Sequence, residues 1–368
     1  MPVPKLNSRD VLMHTVLLTI AIPTFNRATY LSINLAQLCP QLCGHENDVE
    51  LLISNNDSQD ETDDVVKRHI DQGSHITYIR NQTNIGSDRN IAQCFQCARG
   101  RYVLILGDDD LLLNGAVDKI LNVLRSGDYG ICYLAVYGYE ENFNRERPPY
   151  GRCGHNVVFS RQERFIRKLG IYATFISANV INKELLHDLD VEQFVGTNLV
   201  QTYLVYAAIL RSTQNMYVSE YLVACKRNNS GGYNFLDVFV GSLNQVFETY
   251  TAYGLPKRTF DSVRNDILTG YILYRISAAR LAGGSEDIKN EVVSKLRPLY
   301  GANWRFWVCI DPTLRLPLAF AIVWAGAWIV VTRAMSGESG RMLSFVCRKI
   351  RMKSWRSVVV RGQKAGLK

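Results

Sequence analysis

The sequence lacks the motifs of several common enzyme classes. It has no G-x-x-x-x-G-K phosphate loop, and its six histidines are dispersed without metal-ligand spacing. Its nine cysteines form no regular framework, and the apolar run 16–22 leads into PTFNR without a small-residue cleavage site. These absences exclude a P-loop enzyme and predict a cytosolic protein with reduced thiols.

The sequence also lacks a run of about 20 apolar residues, the length that a membrane-spanning helix needs. The stretch 316–331 has sixteen residues without a charge and lies between Arg315 and Arg333. Its two tryptophans, Trp324 and Trp328, lie about one helical turn apart. This pattern predicts an interfacial or re-entrant membrane helix, and a buried core helix is the alternative.

Basic residues are unevenly distributed along the chain. The formal net charge is +8, yet nine Lys or Arg and no acid lie in 341–368, which leaves a charge of about −1 for the rest. Each Lys or Arg near an anionic membrane contributes about 1 kcal/mol of attraction. The charge therefore predicts a tail that binds an anionic membrane surface, and it does not indicate a nucleic-acid-binding fold.

The first 140 residues alternate apolar runs with helix-like stretches. The strand-like runs are 17–25, 49–55, 75–80, 102–107 and 129–139. Such alternation predicts an α/β fold with a mostly parallel sheet flanked by helices. Polar clusters follow four of these runs, at 24–27, 55–60, 84–90 and 108–110. Because ligands of such sheets bind at the carboxyl ends of the strands, we expect the four clusters to share one cleft.

The pattern after residue 155 is more mixed. It predicts a helix over 160–169, a strand over 171–181, a helix over 192–211 and a strand over 216–225. The turn-forming run 227–234 predicts a mobile loop, and helical patterns follow over 235–253, 258–282 and 285–299.

Three adjacent carboxylates, Asp108, Asp109 and Asp110, follow the strand YVLILG. Carboxylates at the end of a buried strand repel one another, so they indicate a compensating cation. Mg²⁺ or Mn²⁺ prefers oxygen ligands and would bring a diphosphate with it. The alternative is a solvated acidic turn that caps a helix beginning at about Leu112.

Taken in order, PTFNR, the run NNDSQD, the segment NIGSDRN and the triple Asp resemble glycosyltransferase family 2, a GT-A family of inverting enzymes. The resemblance covers residues 17 to about 125. The pairing of NIG with GDDD is most similar to the abequosyltransferase-type enzymes of bacterial surface polysaccharide assembly. No Q-x-x-R-W sequence occurs, so the chain does not resemble a processive synthase of the family.

The resemblance implies that a single sugar passes from a nucleotide-diphosphate donor to a glycan acceptor linked to polyprenyl diphosphate. Together with the apolar segment 316–331 and the basic tail, it implies a peripheral or monotopic enzyme at the cytoplasmic face of the inner membrane. We expect a GT-A domain over 1–230, with a nucleotide-sugar half at 15–140 and an acceptor half at 141–230. A helical extension over 231–312 and a membrane-associating segment over 313–368 would follow.

The resemblance also implies which residues hold the nucleoside. They lie after the first two strands: Pro23, Thr24, Arg27, Asn55, Asn56 and Asp57. The family usually has an aspartate at the position of Asn55, where a carboxylate accepts from the N3–H of uracil or thymine. An asparagine amide can donate as well as accept, so uridine, thymidine and cytidine all stay open as the donor base.

The remaining donor contacts are implied by the segments around the third and fourth strands. Asp88 and Asn90 would reach the donor sugar or ribose from the first turn of a helix, and helix capping is the alternative for Asp88. The family's D-x-D aligns with residues 107–109, so Asp109 is the expected metal ligand, with Asp110 as a second ligand and Asp108 as a ribose contact. Arg227 and the loop 228–234 would close over the diphosphate, unless they form a plain surface turn.

The family's general base has no acidic counterpart at the aligned position of this sequence. The family carries an acid in a Gly-Glu-Asp sequence, where this chain has Gly196, Thr197 and Asn198. Asp190 and Glu192 are the nearest carboxylates, and solvated acids at a helix start are the alternative.

Two other functions stay open. One is a catalytically silent nucleotide-sugar-binding or scaffold protein, and the other is a Mg²⁺-dependent nucleotidyltransferase.

Overall fold

The computed structural model describes residues 16–148, 155–227 and 234–335. The strands are β1 (Leu18–Thr24), β2 (Val49–Asn55), β3 (Ile76–Arg80), β4 (Tyr102–Ile105), β5 (Leu111–Leu112), β6 (Ile131–Tyr139), β7 (Val157–Phe159), β8 (Asn179–Asn182) and β9 (Asn215–Lys226). The α-helices are α1 (Ala28–Leu38), α2 (Thr62–Asp71), α3 (Ser87–Cys97), α4 (Ala116–Arg125), α5 (Phe143–Glu146), α6 (Gln162–Leu169), α7 (Val200–Arg211), α8 (Leu243–Ala252), α9 (Lys257–Ile267), α10 (Leu273–Leu281), α11 (Ser285–Glu291), α12 (Arg297–Tyr300), α13 (Asp311–Arg315) and α14 (Leu318–Met335).

The strands form one sheet in the order β3-β2-β1-β4-β8-β6-β9-β5, with β7 also paired to β9. Strands β1 to β4 pair in parallel, and β6 pairs in parallel with β9. Strand β8 runs antiparallel to β4 and β6, and β5 and β7 run antiparallel to β9. The sheet is therefore mixed, and its first half has the parallel α/β arrangement that the sequence predicts.

The core forms because the parallel strands are covered on both faces. Every residue of β2 is buried, and its central residues 51–53 form a continuous apolar run. On one face, Leu18, Ile20 and Ile22 of β1 share a core with Leu31 and Leu35 of α1. Helix α3 packs against β1 and β2 from their other side. All four carboxyl ends of the parallel strands thus meet at one edge, between two helix layers.

The predicted strands of the first half are confirmed within a few residues, but the strand predicted over 171–181 is wrong. Two 3₁₀ helices, Gly170–Thr174 and Ile176–Ala178, occupy most of this segment before β8 begins at Asn179. The Asn179 amide donates to the carbonyls of Tyr172 and Phe175, at 3.0 and 2.8 Å. These bonds hold a local turn, because a side chain that bonds nearby carbonyls competes with a strand ladder.

One expected helix start is wrong, and the helix start in the alternative interpretation of the acidic triplet is not observed. Helix α7 begins at Val200 and not near residue 192, because Gly196 (φ 92°) and Asn198 (φ 57°) adopt left-handed conformations that separate it from a 3₁₀ turn. Helix α4 begins at Ala116 after Gly115, which offers no side-chain cap. The acidic triplet therefore does not cap a helix at Leu112, which belongs to β5.

The chain divides into two compact units, the first ending at Thr259 and the second starting at Phe260. In the second unit, Arg280 donates to the carbonyls of Thr313 and Leu316, which fixes the α13–α14 connection. Ala321 and Ala325 bury one side of α14. Among the described residues, no helix has both the length and the apolar character needed to cross a membrane. The basic tail 341–368 lies outside the described residues.

Candidate active site

The ends of β1 and β4 are joined by hydrogen bonds at one edge of the sheet. Thr24, the last residue of β1, donates to Asp108 Oδ2 at 2.9 Å. Arg27 Nη1 lies 3.1 Å from Asp108 Oδ1 and 3.2 Å from Asp109 Oδ2. Arg27 therefore bridges two of the three adjacent carboxylates, which offsets part of their mutual repulsion.

The end of β2 holds the neighbouring loops. The Asn56 side chain accepts from the Ile85 amide at 2.9 Å and donates to Asn84 Oδ1 at 2.8 Å, so it fixes the loop that leads into α3. The Asn26 amide donates to Ser58 Oγ at 2.9 Å. The polar clusters after the four strands thus form one connected cleft, as the sequence predicts.

Asn55 is fully buried and its amide is used inside the protein. Its Nδ2 donates to Tyr78 Oη at 2.7 Å and to Asp63 Oδ1 at 3.0 Å, while its Oδ1 accepts from the Ser58 amide at 2.9 Å. Tyr78 also donates to Asp63, and Arg80 contacts the same carboxylate. A carboxylate therefore stands beside Asn55, supplied by α2 and not by the end of β2.

Asp57 and Pro23 are the other two residues that were expected to contact the nucleoside. Asp57 has a left-handed backbone (φ 63°), and its Oδ1 lies 3.5 Å from Arg80 Nη2. Pro23 pairs in register with Ser54, next to the end of β1.

The three adjacent aspartates have different environments. Burial raises the pKa of Asp108 to about 6, although the charge of Arg27 opposes this shift. Burial also raises the pKa of Asp110 to about 7, and the neighbouring charge of Asp109 adds to it. Asp110 accepts from Ser177 Oγ at 2.5 Å and from the Lys226 amide at 3.0 Å. Both of its carboxylate oxygens are therefore engaged within the protein.

Asp109 is the carboxylate of the triplet that faces a cavity. It lines a pocket of about 190 Å³ together with Tyr30, Tyr139 and Lys226. Within the part of the chain that the structure describes, no three His, Cys, Asp or Glu side chains are grouped as a protein-only metal site. A divalent cation that is shared with a diphosphate needs only one or two carboxylates, and Asp109 fits that requirement. Asp110 fits it less well, because a metal would have to replace its two hydrogen bonds.

Gly107 stands where the resemblance aligns the first aspartate of D-x-D. A Cβ atom at this position would lie 3.2 Å from both Asp109 Oδ1 and Asp110 Oδ2, and 3.3 Å from Ser177 Oγ. A fourth carboxylate here would meet two others at close range, which is unfavourable in a buried site. The glycine therefore fits the geometry of the triplet.

The two polar residues in the first turn of α3 make internal contacts. Asn90 accepts from Ser54 Oγ at 2.6 Å and donates to the Ser54 carbonyl at 3.1 Å, so it ties α3 to β2. Asp88 Oδ2 accepts from the amides of Gly196 and Asn198, each at 2.8 Å. Asp88 thus holds the turn that precedes α7, where the resemblance aligns the family's base.

The sequence-predicted base candidates lie on the surface. Asp190 is exposed, and its Oδ1 accepts from the Glu192 amide at 3.1 Å. Glu192 Oε2 lies 3.7 Å from Arg89 Nε, next to Asp88 on α3. The amide of Arg227 donates to the Tyr139 carbonyl at 2.8 Å. The adjoining loop 228–233 lies outside the described residues.

Sequence reasoning missed three residues of this site. Ser177 fixes Asp110, the Lys226 amide bonds the same carboxylate, and Tyr139 Oη donates to the Asp109 carbonyl at 3.3 Å. No motif surrounds them, because each reaches the site from a distant segment. The ends of β6 and β9, which pair in parallel, were the signal that could have located Tyr139 and Lys226.

Comparisons with known proteins are consistent with this arrangement. Residues 19–189 match the model of Glycosyl transferase family 2. A Campylobacter jejuni protein, GalNAc(5)-diNAcBac-PP-undecaprenol beta-1,3-glucosyltransferase, is 30% identical over 130 residues, which are 35% of this chain and 41% of that protein. The Bacillus subtilis minor teichoic acid biosynthesis protein GgaB is 29% identical over 32% of this chain and 13% of its own length. The chain spans less than half the length of these relatives.

The fold is similar to that of S. aureus TarS 1-349, solved in complex with UDP-GlcNAc. The TM-score is 0.57 at 15% identity, and the match covers 88% of this chain and 93% of the other. At this identity the likeness concerns the fold alone, which is a GT-A fold.

Proposed function

We propose that the protein transfers one sugar from a nucleotide-diphosphate donor to a glycan acceptor, because residues 19–189 match the model of Glycosyl transferase family 2. The observation that carries the proposal is the cleft in which Thr24, Arg27 and Asp109 meet at the ends of β1 and β4. A cleft at the carboxyl ends of parallel strands is where such a sheet binds a nucleotide.

The donor would lie along this edge of the sheet. The nucleoside would contact the segments that hold Pro23, Asn55, Asn56 and Asp57, and the base would meet Asp63 beside Asn55. The N-terminus of α3 would face the diphosphate, because the free amides of a helix start attract an anion. Asp108 and Arg227 stay proposed contacts of the ribose and the diphosphate.

We assign Asp109 as the protein ligand of a Mg²⁺ or Mn²⁺ ion, with Asp110 as a second ligand if its present hydrogen bonds are exchanged. When bound, such an ion supplies positive charge that stabilises the departing nucleoside diphosphate. Arg27 adds a fixed positive charge 3.2 Å from Asp109. The protein thereby keeps the carboxylate oriented toward the cleft.

An inverting transfer also needs a base for the proton of the acceptor hydroxyl. Glu192 and Asp190 remain the proposed candidates, and the link from Glu192 to Arg89 of α3 favours Glu192. The acceptor would bind near the turn 196–198, which Asp88 holds against α3.

The chemistry of the relatives supports a lipid-linked or polymeric acceptor. The C. jejuni relative is named for an undecaprenol-linked glycan, and the B. subtilis relative for teichoic acid. We propose that this chain acts on a polyprenyl-diphosphate-linked glycan in bacterial surface polysaccharide synthesis, such as O-antigen.

The donor is tested by thermal unfolding with UDP, dTDP, CDP and GDP, each with Mn²⁺. One nucleotide is expected to stabilise the protein by about 2.7 kcal/mol at a concentration of 100 times its Kd. The matching nucleotide sugar should then be hydrolysed slowly without acceptor, which a silent binding or scaffold protein would not do. Glu192→Gln is expected to slow turnover by roughly 10²-fold or more without changing nucleotide binding. Glu184→Gln is its control, because Glu184 is an exposed acid whose partner is Arg101. If no nucleotide raises the melting temperature, the proposed function is wrong.

A membrane location would bring the enzyme to such an acceptor. Helix α14 exposes 68% of Phe320 and 74% of Val323, while Ala321 and Ala325 are buried. Trp324 Nε1 donates to the Val308 carbonyl at 2.9 Å, which holds the helix within the second unit. An apolar face on a held helix suits insertion among lipid headgroups, so we propose that α14 lies in the membrane interface at the cytoplasmic face.

Replacing Phe320 by aspartate should reduce vesicle binding at least tenfold, because a charge would enter the apolar interface. The measurement is co-sedimentation of the full chain with vesicles that contain phosphatidylglycerol. Ile70→Asp is the matched control, since Ile70 is an exposed apolar residue of α2 in the first unit. Equal binding by the two variants would exclude α14 as the attachment site.

A further inference from the structure

A second concave site lies outside the cleft and is surrounded by arginines. This pocket, which we call the arginine pocket, has a volume of about 320 Å³. Its charged lining consists of Arg161, Arg164, Arg167, Arg258 and Glu163. Ser160 adds a hydroxyl group to the rim. Four positive charges therefore meet one negative charge around a single cavity.

The positive charge of the pocket is not neutralised by the protein. Throughout the described ranges, no carboxylate lies within ion-pair distance of the guanidinium of Arg161, Arg164 or Arg258. Arg167 Nε donates to the backbone carbonyl of Glu163 at 3.3 Å, which leaves its charge unpaired. Guanidinium groups stay charged at any physiological pH and repel one another when they are close. An anion in the pocket would relieve this repulsion.

The arginine pocket is remote from the donor cleft. Residues 157–159 of β7, which lead into it, pair with the first residues of β9, with Phe159 opposite Asn215. The cleft meets the other end of β9, where the Lys226 amide bonds Asp110. Eleven residue steps of an extended strand span roughly 36 Å, which is too far for one donor molecule to reach both sites.

We propose that the arginine pocket is a binding site for a phosphate group of a ligand other than the nucleotide sugar. Arginine suits this chemistry because its planar fork donates two parallel hydrogen bonds to phosphate oxygens. Several arginines around one cavity can share a phosphate or a diphosphate, and the hydroxyl of Ser160 can add a further donor. The phosphate belongs either to a membrane lipid headgroup or to a soluble molecule.

The test compares two variants that each lose two exposed positive charges. The pocket variant carries Arg161→Ala and Arg164→Ala, and the control carries Lys67→Ala and Arg68→Ala on α2. One arm titrates pyrophosphate by calorimetry in EDTA, so that no divalent ion recruits it to the donor cleft. The other arm measures sedimentation with vesicles of phosphatidylcholine alone or with phosphatidic acid added.

The pocket variant should bind its ligand at least tenfold more weakly than the wild type, while the control should stay within about twofold. Loss in the pyrophosphate arm identifies a soluble phosphate, and loss only with phosphatidic acid identifies a lipid headgroup. Equal binding by both variants in both arms would overturn the proposal. Donor-dependent thermal stabilisation should not change in either variant, so this result is independent of the proposed transferase activity.

Discussion

Replacing Asp109 by asparagine should lower the rate of sugar transfer by roughly 10³-fold and leave the fold intact. A divalent cation stabilises the charge of a leaving diphosphate by several kcal/mol, and about 4 kcal/mol corresponds to a factor near 10³ in rate. Asp109 is the triplet member that lines the pocket beside Tyr139, so its charge is the one that a cation there would meet. Asparagine keeps the size of the side chain and removes that charge.

The measurement is the initial rate of transfer with Mn²⁺ and again with EDTA. EDTA should reduce the wild-type rate and have little further effect on the variant. Asp128→Asn is the matched control, because Asp128 is an exposed acid whose partner is Arg101. A variant rate equal to that of the wild type with Mn²⁺ would show that Asp109 is not the metal ligand.

Replacing Asp88 by alanine should reduce both stability and transfer. The change leaves the amides of Gly196 and Asn198 without their acceptor, which costs about 1–3 kcal/mol when the groups stay buried. The turn that precedes α7 would then shift, and a displacement of about 1 Å at an acceptor site can slow a reaction roughly 10²-fold. Chemical unfolding and transfer rates measure the two effects separately.

Asp88→Asn provides the matched control, since its amide oxygen can still accept both hydrogen bonds. Burial raises the pKa of Asp88, although the amides of residues 196–198 oppose that shift. A carboxyl group whose pKa is raised in the folded state stabilises the fold in acid. This contribution to the free energy of unfolding is lost as the pH rises above the unfolded pKa, which is about 4. As the pH rises above the unfolded pKa, the wild type should therefore lose stability relative to Asp88→Asn. If Asp88→Ala unfolds and turns over like the wild type, Asp88 does not position the turn.

Much of the first half of the fold could be predicted from the sequence, because most of its strands, such as β1, β2 and β4, are buried on both faces. The sequence predicts strand β2 over residues 49–55, where the structure has it, and every one of its residues is buried. The strand predicted over 171–181 is wrong because the segment has the apolar composition of a strand, whereas Asn179 holds it in a local turn. The apolar composition of a segment indicates that it is buried, but it does not indicate which local hydrogen bonds form.

The location of the candidate site was predictable for a similar reason. Polar clusters after buried strands indicate a cleft whatever their partners are, so Thr24, Arg27 and Asp109 could be grouped in advance. The role of each side chain, in contrast, depends on contacts between segments that are distant in the sequence. Asn90 ties α3 to Ser54, and Asp110 bonds Ser177 and Lys226. Neither contact follows from spacing along the chain.

The hydrogen bonds of Asp88 and Asp110 also suggest how the first unit could be recombined with the corresponding part of a relative. Both carboxylates belong to the first half of the unit, and their partners belong to the second. Most of these partners are backbone amides, which any sequence supplies if it keeps the same turn, whereas Ser177 contributes a hydroxyl. A chimaera that exchanges the second half of this unit should therefore assemble around an unchanged first half, provided that a hydroxyl is kept at position 177.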